Sequence, residues 1–190
     1  SAAEVVVYLG APYLADPSRR TILVELADEC LGEHTGEARG EEGGNVLGFA
    51  RYRNGDDPPS PLVELVVQPR TDPAALEGAR AVFEAAGLAV AVSADRPGRI
   101  VDRLVRPFYN AALRFLDEGL AGAEELDLTC RLGLGYPDGP IERVERGGLA
   151  RHYERSQALF EALGGEAYLP ARRARVAAHR EASRGSRGSR

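Results

Sequence analysis

The amino-acid sequence predicts an α/β unit over residues 1–94, followed by an all-α unit over residues 95–182. Two observations carry this prediction. Before residue 95, short β-branched runs alternate with helical stretches, as in α/β proteins. After residue 95, apolar residues recur only at helical spacing. The ending SRGSRGSR, residues 183–190, is a low-complexity repeat with nothing to bury, so we expect a flexible Arg/Gly/Ser tail.

The α/β unit opens with EVVVYLG, residues 4–10, a β-branched run that suits a buried strand in a mostly parallel sheet. Asp16 and Pro17 then favour the N-cap and first position of a helix that continues through TILVELADECLG. The next segment, EHTGEARGEEGG, is rich in Gly and Glu and has no apolar anchor. We expect it to be a solvated loop.

The rest of this unit reads as two strands, a helix and a further strand. NVLGFARY and LVELVV are strand-like and are separated by the turn formers of RNGDDPPS. Asp72 is the expected N-cap of the clearest helix in the chain, with Pro73 at its first position and Gly87 as its stop. LAVAVSA then predicts another buried strand.

The all-α unit begins with a helix from Ile100, which Pro107 is expected to bend near its middle. Its helical spacing groups apolar residues on one side, namely Leu104, Phe108, Ala112, Phe115 and Leu116. Further helices are predicted in AEELDLTCRLGLG, PIERVERGGLARHYERSQALFEALG and PARRARVAAHREA. The glycines and prolines of LGLGYPDGP predict a helix stop, a turn and a restart.

Composition excludes several kinds of chemistry. All 24 basic side chains of the 190-residue chain are Arg, so no Schiff-base lysine or P-loop lysine is present. Residues 151–190 hold nine Arg against four Glu, although the net charge of the chain is -5. Because this basic excess has no aromatic interleaving, we do not expect nucleic acid as a partner.

Location and cysteine chemistry follow from simple patterns. No apolar run approaches the roughly 18 residues that span a bilayer, and no basic region followed by an apolar stretch opens the sequence. We therefore expect a cytoplasmic location and no membrane partner. Cys30 and Cys130 are far apart in the sequence and form no C-x-x-C pair, so we interpret them as reduced core thiols.

Three segments in order resemble the C-terminal helical domain of the 3-hydroxyacyl-CoA (3-hydroxybutyryl-CoA) dehydrogenase family: DRPGRIVDRLVRPFYNAALRFLDEG, AEELDLTCRLGLGYPDGPIE and YLPARRARV. Upstream, NVLGFARY and PLVELVVQPRTDPAALEGARAVFEAAGLAVAVSADRPG resemble the second half of that family's Rossmann domain. The resemblance covers residues 45 to about 176. It implies a reduced Rossmann-like sheet, the helical dehydrogenase domain and a role in fatty acid metabolism. Larger members carry a degenerate second copy after a complete catalytic unit, and this chain looks similar to such a copy.

The resemblance also shows what this sequence lacks. The family binds NAD at a G-x-G-x-x-G turn, whereas here no such motif follows a strand and EVVVYLGAPYL is the only candidate place for one. We expect no cofactor for this chain. The family's catalytic His falls on Ala50, the Glu that orients it matches Glu64, and the family's active-site Asn falls on Asp102. Glu64 and Asp102 are thus the degenerate candidate catalytic residues.

Three functions remain open from the sequence. The first is a family module without NAD-dependent activity alone, serving dimerisation, acyl-CoA contact or support of an active site. Its partner would be a second copy, or a companion dehydrogenase domain, on an apolar face around Phe108, Leu113 and Leu116. The second is an acyl-CoA-processing enzyme that uses Glu64 and Asp102 as paired carboxylates. The third is an interaction protein that binds an acidic partner through its Arg-rich C-terminus.

Simpler interpretations compete with the site hypotheses. Glu64 as a sheet-end residue and Asp102 as a solvated helix residue are favoured over a carboxylate pair. His34 lies among Glu33, Glu37, Glu41 and Glu42. This grouping is typical of a metal site, but a solvated charge run is the favoured reading and we expect no metal. His152 and His179 lie in Arg-rich helices, and we interpret both as surface residues.

Overall fold

The computed structural model describes residues 4–10, 12–36 and 42–185, which fold as two compact units. The sheet unit comprises residues 1–52 and 59–100, and the helical unit comprises residues 53–58 and 101–190. An α/β unit followed by an all-α unit was the predicted fold class, and it is confirmed. The segment expected to be a flexible tail is helical as far as Gly185, and residues 186–190 lie outside the described residues.

The sheet unit contains one five-stranded mixed sheet in the order β1-β2-β3-β4-β5. Its strands are β1 (Val5–Tyr8), β2 (Thr21–Glu25), β3 (Val46–Ala50), β4 (Leu62–Val67) and β5 (Ala89–Ala94). β1, β2 and β3 are parallel, β4 runs antiparallel to β3, and β5 is parallel to β4. The unit also contains the helices α1 (Leu31–Thr35) and α2 (Pro73–Ala85).

The predicted strands β1, β3, β4 and β5 are confirmed, and so is α2, where the Asp72 side chain accepts the N–H of Ala74. The helix predicted after Asp16 is wrong, because its TILVE segment forms β2 instead. This β-branched run is buried and pairs with a strand on each side, which outweighs the local cap signal. Asp16 instead closes a turn by accepting from the backbone and hydroxyl of Ser18.

Both faces of the sheet are apolar. One face packs against α2 through a core that contains Leu23, Leu47, Phe49, Val63, Leu65, Ala75, Ala79 and Phe83. The other face packs against α1 through Ile22, Val24, Leu26, Leu31 and Val66. The two edge strands depart from the prediction of buried strands, since Val7 of β1 and Val92 of β5 are 42% and 39% exposed.

The helical unit contains α3 (Ile100–Asp117), α4 (Ala123–Gly133), α5 (Pro140–Gly147), α6 (Leu149–Leu163) and α7 (Arg172–Gly185), with a 3-10 turn at Glu166–Tyr168. Its core contains Tyr109, Ala112, Leu113, Ile141, Val144, Ala171 and Ala174. The predicted stop, turn and restart lies between α4 and α5, and α3 continues through Pro107. Among the described helices, none combines the length and apolarity needed to cross a bilayer.

The orientation of α3 differs from the one its apolar spacing predicts. The residues that α3 buries are Arg106, Tyr109, Asn110, Ala112 and Leu113. On the opposite side, Leu104 and Phe115 are 68% and 43% exposed and Phe108 is half-buried. We call Leu104, Phe108 and Phe115 the α3 stripe. Leu113 is a core residue with 1% exposure, so the interface predicted around it cannot include its side chain.

Candidate functional site

The sheet brings Ala50 and Glu64 directly opposite each other. β3 and β4 are antiparallel, and their register pairs Ala50 with Glu64. Side chains of directly opposed residues lie on the same face of a sheet with Cβ atoms about 5 Å apart. The position that the resemblance assigns to a catalytic His therefore lies beside the carboxylate expected to orient it, but a methyl group occupies it.

Glu64 has a structural partner in this arrangement. Its side chain is buried, and its Oε2 accepts the backbone N–H of Ile100, the first residue of α3, at 2.5 Å. A helix N-terminus leaves such N–H groups without an intrahelical acceptor, and a negative charge stabilises them. Capping this N–H gives Glu64 a structural role, although Glu64 lies within β4 and not at the end of the sheet, as the simpler interpretation assumed.

Asp102 lies in the first turn of α3 and is held by an ion pair. Arg106, one turn further along, reaches Asp102 Oδ1 with Nη2 at 2.6 Å and with Nε at 2.8 Å. The side chains of the two residues are only 14% and 8% exposed. Asp102 is therefore not the solvated residue that the simpler interpretation assumed. Since Glu64 belongs to the sheet unit and Asp102 to the helical unit, a carboxylate pair stays a hypothesis.

Arg106 also belongs to a buried polar relay with His152 and Asn110. Arg106 Nη1 lies 3.3 Å from His152 Nδ1, and His152 Nε2 lies 2.9 Å from Asn110 Oδ1. A guanidinium only donates, so Nδ1 is the accepting nitrogen and Nε2 carries the proton. Asn110 Nδ2 in turn donates to the carbonyls of Ala167 and Tyr168 at 3.1 and 3.3 Å. We call Asp102, Arg106, His152 and Asn110 the α3–α6 relay.

The prediction that His152 is a surface residue is wrong, because its side chain is 1% exposed. Burial, and to a lesser extent the neighbouring positive charge of Arg106, lower the pKa of His152 from 6.5 to about 3. The imidazole is thus neutral at physiological pH. Neutrality is what the relay needs, because Nδ1 must accept from Arg106.

The turn between α4 and α5 depends on a buried carboxylate that faces a glycine. Asp127 accepts the N–H of Ile141 at 2.8 Å and the N–H of Glu142 at 3.0 Å, and so caps the first turn of α5. A Cβ on Gly139 would lie 2.1 Å from Asp127 Cγ. Only glycine lets the chain approach this carboxylate so closely.

No metal cluster is found among the residues that the structure describes. His34 Nε2 lies 3.1 Å from Glu29 Oε1, and Glu37 and Glu41 lie outside the described residues. Burial opposes the ionisation of Glu29, but hydrogen bonds from backbone N–H groups and from His34 outweigh it and lower the pKa of this carboxyl group. An acidic side chain that pairs with a histidine in this way is common on protein surfaces.

The residues after β1 do not fit an NAD pyrophosphate. A dinucleotide site needs glycines that turn directly into a helix N-terminus. Between β1 and β2, residues 9–10 and 12–20 are described and form bends and turns without a helix. These described residues therefore do not form the pyrophosphate site that NAD requires.

A five-stranded mixed sheet followed by five helices defines the class as a protein with an α/β unit and an all-α unit. Residues 98–188 match the family model of the 3-hydroxyacyl-CoA dehydrogenase C-terminal domain. Over this segment the chain is similar to the 3-hydroxyacyl-CoA dehydrogenase family, and the resemblance stated from the sequence is confirmed.

Individual relatives agree with this assignment. The 3-hydroxybutyryl-CoA dehydrogenase of Bradyrhizobium diazoefficiens is 37% identical over 115 residues, which are 59% of this chain and 39% of that protein. The structure of M. tuberculosis FadB2 has a TM-score of 0.71 at 24% identity, over 85% of this chain and 55% of that one. For (S)-3-hydroxybutyryl-CoA dehydrogenase PaaH1 from Ralstonia eutropha the TM-score is 0.69 at 24% identity, over 82% and 53%. The two structures show the fold, and the chain spans about half or less of these relatives.

Sequence reasoning missed the buried relay, although a signal for it exists. His152 stands at helical spacing with Leu149, Ser156 and Leu159, and this is the face of α6 that is largely buried. On α3, Asp102, Arg106 and Asn110 recur every four residues. Polar residues that share helical spacing with core residues are candidates for a buried network.

Proposed function

We propose that the chain is a 3-hydroxyacyl-CoA dehydrogenase family module that dimerises through its helical unit and has no NAD-dependent dehydrogenase activity by itself. The α3 stripe is the observation that carries the dimerisation. The displacement of the catalytic His by Ala50 supports the lack of activity. The partner that we propose is a second copy of this chain.

The α3 stripe leaves apolar side chains exposed on one side of the helix. Leu104 is 68% exposed, and Phe108 meets the ring of Tyr136 edge-on with ring centroids 5.5 Å apart. Together with Pro137 and Pro140, these side chains line an open groove of about 500 Å³. Exposed apolar patches of this kind mark interaction sites in folded proteins.

The α4 helix adds exposed leucines to the same unit. Leu128 and Leu132 lie one turn apart and are 51% and 80% exposed, and Leu134 follows them with 59% exposure. The same patch on two copies can meet around a two-fold axis, which is the commonest symmetry of soluble oligomers. Since the family resemblance also implies dimerisation of this domain, a second copy is the favoured occupant.

We predict that Leu104→Glu weakens self-association at least tenfold, since a buried unpaired carboxylate opposes an apolar interface. Sedimentation velocity over a concentration series measures the dissociation constant. Leu14→Glu is the matched control, because Leu14 is 76% exposed in the sheet unit. The homodimer is contradicted if the wild-type chain stays monomeric throughout the series. That result is expected if its partner is only a companion dehydrogenase domain. Equal weakening by the two variants contradicts the homodimer as well.

We also predict that the purified chain forms no NADH from 3-hydroxybutyryl-CoA. Ala50 occupies the position that the resemblance assigns to the catalytic His, and its methyl group beside Glu64 cannot take the proton of the substrate hydroxyl. Absorbance of NADH measures the rate, and a complete dehydrogenase of the family serves as the positive control. Turnover above the blank would overturn the proposal.

One observation supports a second candidate function, that of an acyl-CoA-processing enzyme that uses Glu64 and Asp102. Arg106 fixes the carboxylate of Asp102 through contacts to a single oxygen, Oδ1. A fixed carboxylate near the start of a helix suits acid–base work on an acyl-CoA. The test is conversion of acyl-CoA substrates followed by mass spectrometry. Loss of any such conversion in both Glu64→Gln and Asp102→Asn supports this candidate, whereas indifference to both substitutions excludes it.

A further inference from the structure

The last two turns of α7 have no packing surface. Residues 179–185 are all exposed, whereas the first half of the helix is anchored by the buried Ala174. A helical segment that is polar all round is stable only when side-chain pairs or a partner support it. Within this segment Ser183 Oγ donates a hydrogen bond to the carbonyl of His179.

Most of the positive charge of α7 is uncompensated. The helix carries five Arg and one Glu. Arg173 pairs with Asp117, but Arg175, Arg180 and Arg184 form no ion pair with any residue in the described part of the chain. Guanidinium groups in this state attract carboxylates and phosphates, which they bind in a bidentate manner.

The free guanidinium groups line a groove rather than a uniform surface. With about 100° per residue in a helix, Arg175 and His179 fall on one side of Val176, and Arg180 and Arg184 fall on the other. These residues and Ser183 enclose an open groove of about 520 Å³ along the helix. The groove thus has two polar rims and a floor made of an aliphatic and a small side chain. We call it the α7 groove.

We propose that the α7 groove binds an acidic segment of a partner polypeptide. Asp and Glu carboxylates of that segment pair with guanidinium groups on both rims, and the methylene groups of its Glu side chains cover Val176. This inference goes beyond dimerisation, since it uses a different helix from the α3 stripe.

Two other classes of anionic partner fit the groove less well. The lining residues include no aromatic ring on which a nucleic-acid base could stack. Apart from Val176, they also offer no apolar side chain that could insert into a lipid bilayer. An acidic polypeptide needs neither feature.

The test is fluorescence anisotropy of a short labelled Glu-Ala peptide titrated with the full chain at low ionic strength. We expect the double substitution Arg180→Gln/Arg184→Gln to weaken binding about tenfold, because it removes two of the guanidinium groups that pair with the carboxylates of the peptide. Binding of the wild type should also weaken as salt rises through the physiological range. Gln retains helix propensity, so circular dichroism should not change.

The matched control is Arg53→Gln/Arg96→Gln, which removes the same charge from two exposed sites away from α7. Weakening by the α7 variant, with the control at the wild-type affinity, supports the proposal. Equal weakening by both variants, or no binding of the peptide by the wild type, overturns it. Tighter binding of a single-stranded oligonucleotide or of phosphatidylserine vesicles than of the peptide also overturns it.

Discussion

Replacement of His152 by alanine is expected to lower the free energy of unfolding by about 3 kcal/mol. The substitution removes the acceptor of an Arg106 N–H and the donor to Asn110 Oδ1, both of which are buried. A buried polar group left without a partner is destabilising by about 1–3 kcal/mol. Asn110 Oδ1 keeps the N–H of Ala171 as a donor, so the main losses are the acceptor of the Arg106 N–H and the volume of the ring. Urea unfolding followed by circular dichroism measures the loss.

His179→Ala is the matched control, because His179 is an exposed histidine on α7. Its loss should change the free energy of unfolding by less than about 0.5 kcal/mol. Nitrogen-15 NMR of the wild type should show a neutral His152 with the proton on Nε2. A charged ring, a proton on Nδ1, or equal effects of the two alanine substitutions would contradict the α3–α6 relay.

The same histidine makes stability depend on pH in a defined direction. Burial and the charge of Arg106 lower the pKa of His152 from 6.5 to about 3, so the unfolded chain takes up a proton in a range where the folded chain does not. Its contribution is complete above pH 6.5 and is lost progressively as the pH falls from 6.5 towards 3. Between pH 7 and pH 5 we expect a loss of about 2 kcal/mol that is absent in His152→Gln. An equal loss in that variant would contradict this assignment.

Replacement of Asp127 by alanine is expected to lower the free energy of unfolding by about 3 kcal/mol. The N–H groups of Ile141 and Glu142 would lose their acceptors at the start of α5, and the N–H of Ile141 is buried. Because Gly139 approaches this carboxylate so closely, Gly139→Ala should destabilise the same turn by a clash. Thermal and urea unfolding of the two variants test both effects.

Asp138→Ala is the control for Asp127. Asp138 pairs with Arg146 at 2.7 Å in a partly exposed site, and surface ion pairs contribute at most about 1 kcal/mol. Asp127→Asn keeps one acceptor and should fall between the wild type and Asp127→Ala. If Asp138→Ala proves as destabilising as Asp127→Ala, the carboxylate cap is not what fixes the turn.

The sequence predicted the parts of the fold that local chemistry determines. The limits of α2 were predicted from three residues, namely the N-cap Asp72, Pro73 at the first helical position and Gly87 with its positive φ angle. Each of these signals acts within a few residues of the helix end. β2 was mistaken for a helix because its state is set by strands on both sides. Pairing between strands that are distant in the sequence cannot be predicted from a short stretch of residues, apart from the β-branched run itself.

The candidate site shows the same division. The family resemblance identified Ala50, Glu64 and Asp102, and only the strand register showed that Ala50 faces Glu64. His152 was misjudged because charged neighbours in the sequence suggested exposure, whereas helical spacing decides which face is buried. The apolar residues predicted for one side of α3 are split in the structure, since Ala112 lies in the core whereas Leu104 and Phe115 are exposed. Apolar spacing alone does not distinguish a core face from an interface face.

The pairing of Ala50 with Glu64 has a consequence for redesign of the protein. The backbone still presents a position of the right register for an imidazole next to a carboxylate, so Ala50→His requires no rebuilding of the sheet. The substitution requires additional volume, because Ala50 is 7% exposed and the neighbouring side chains must move to accommodate a larger ring. The obstacle to placing a proton acceptor beside Glu64 is therefore one of volume, whereas the obstacle to binding NAD is that the described residues between β1 and β2 do not form a phosphate-binding turn.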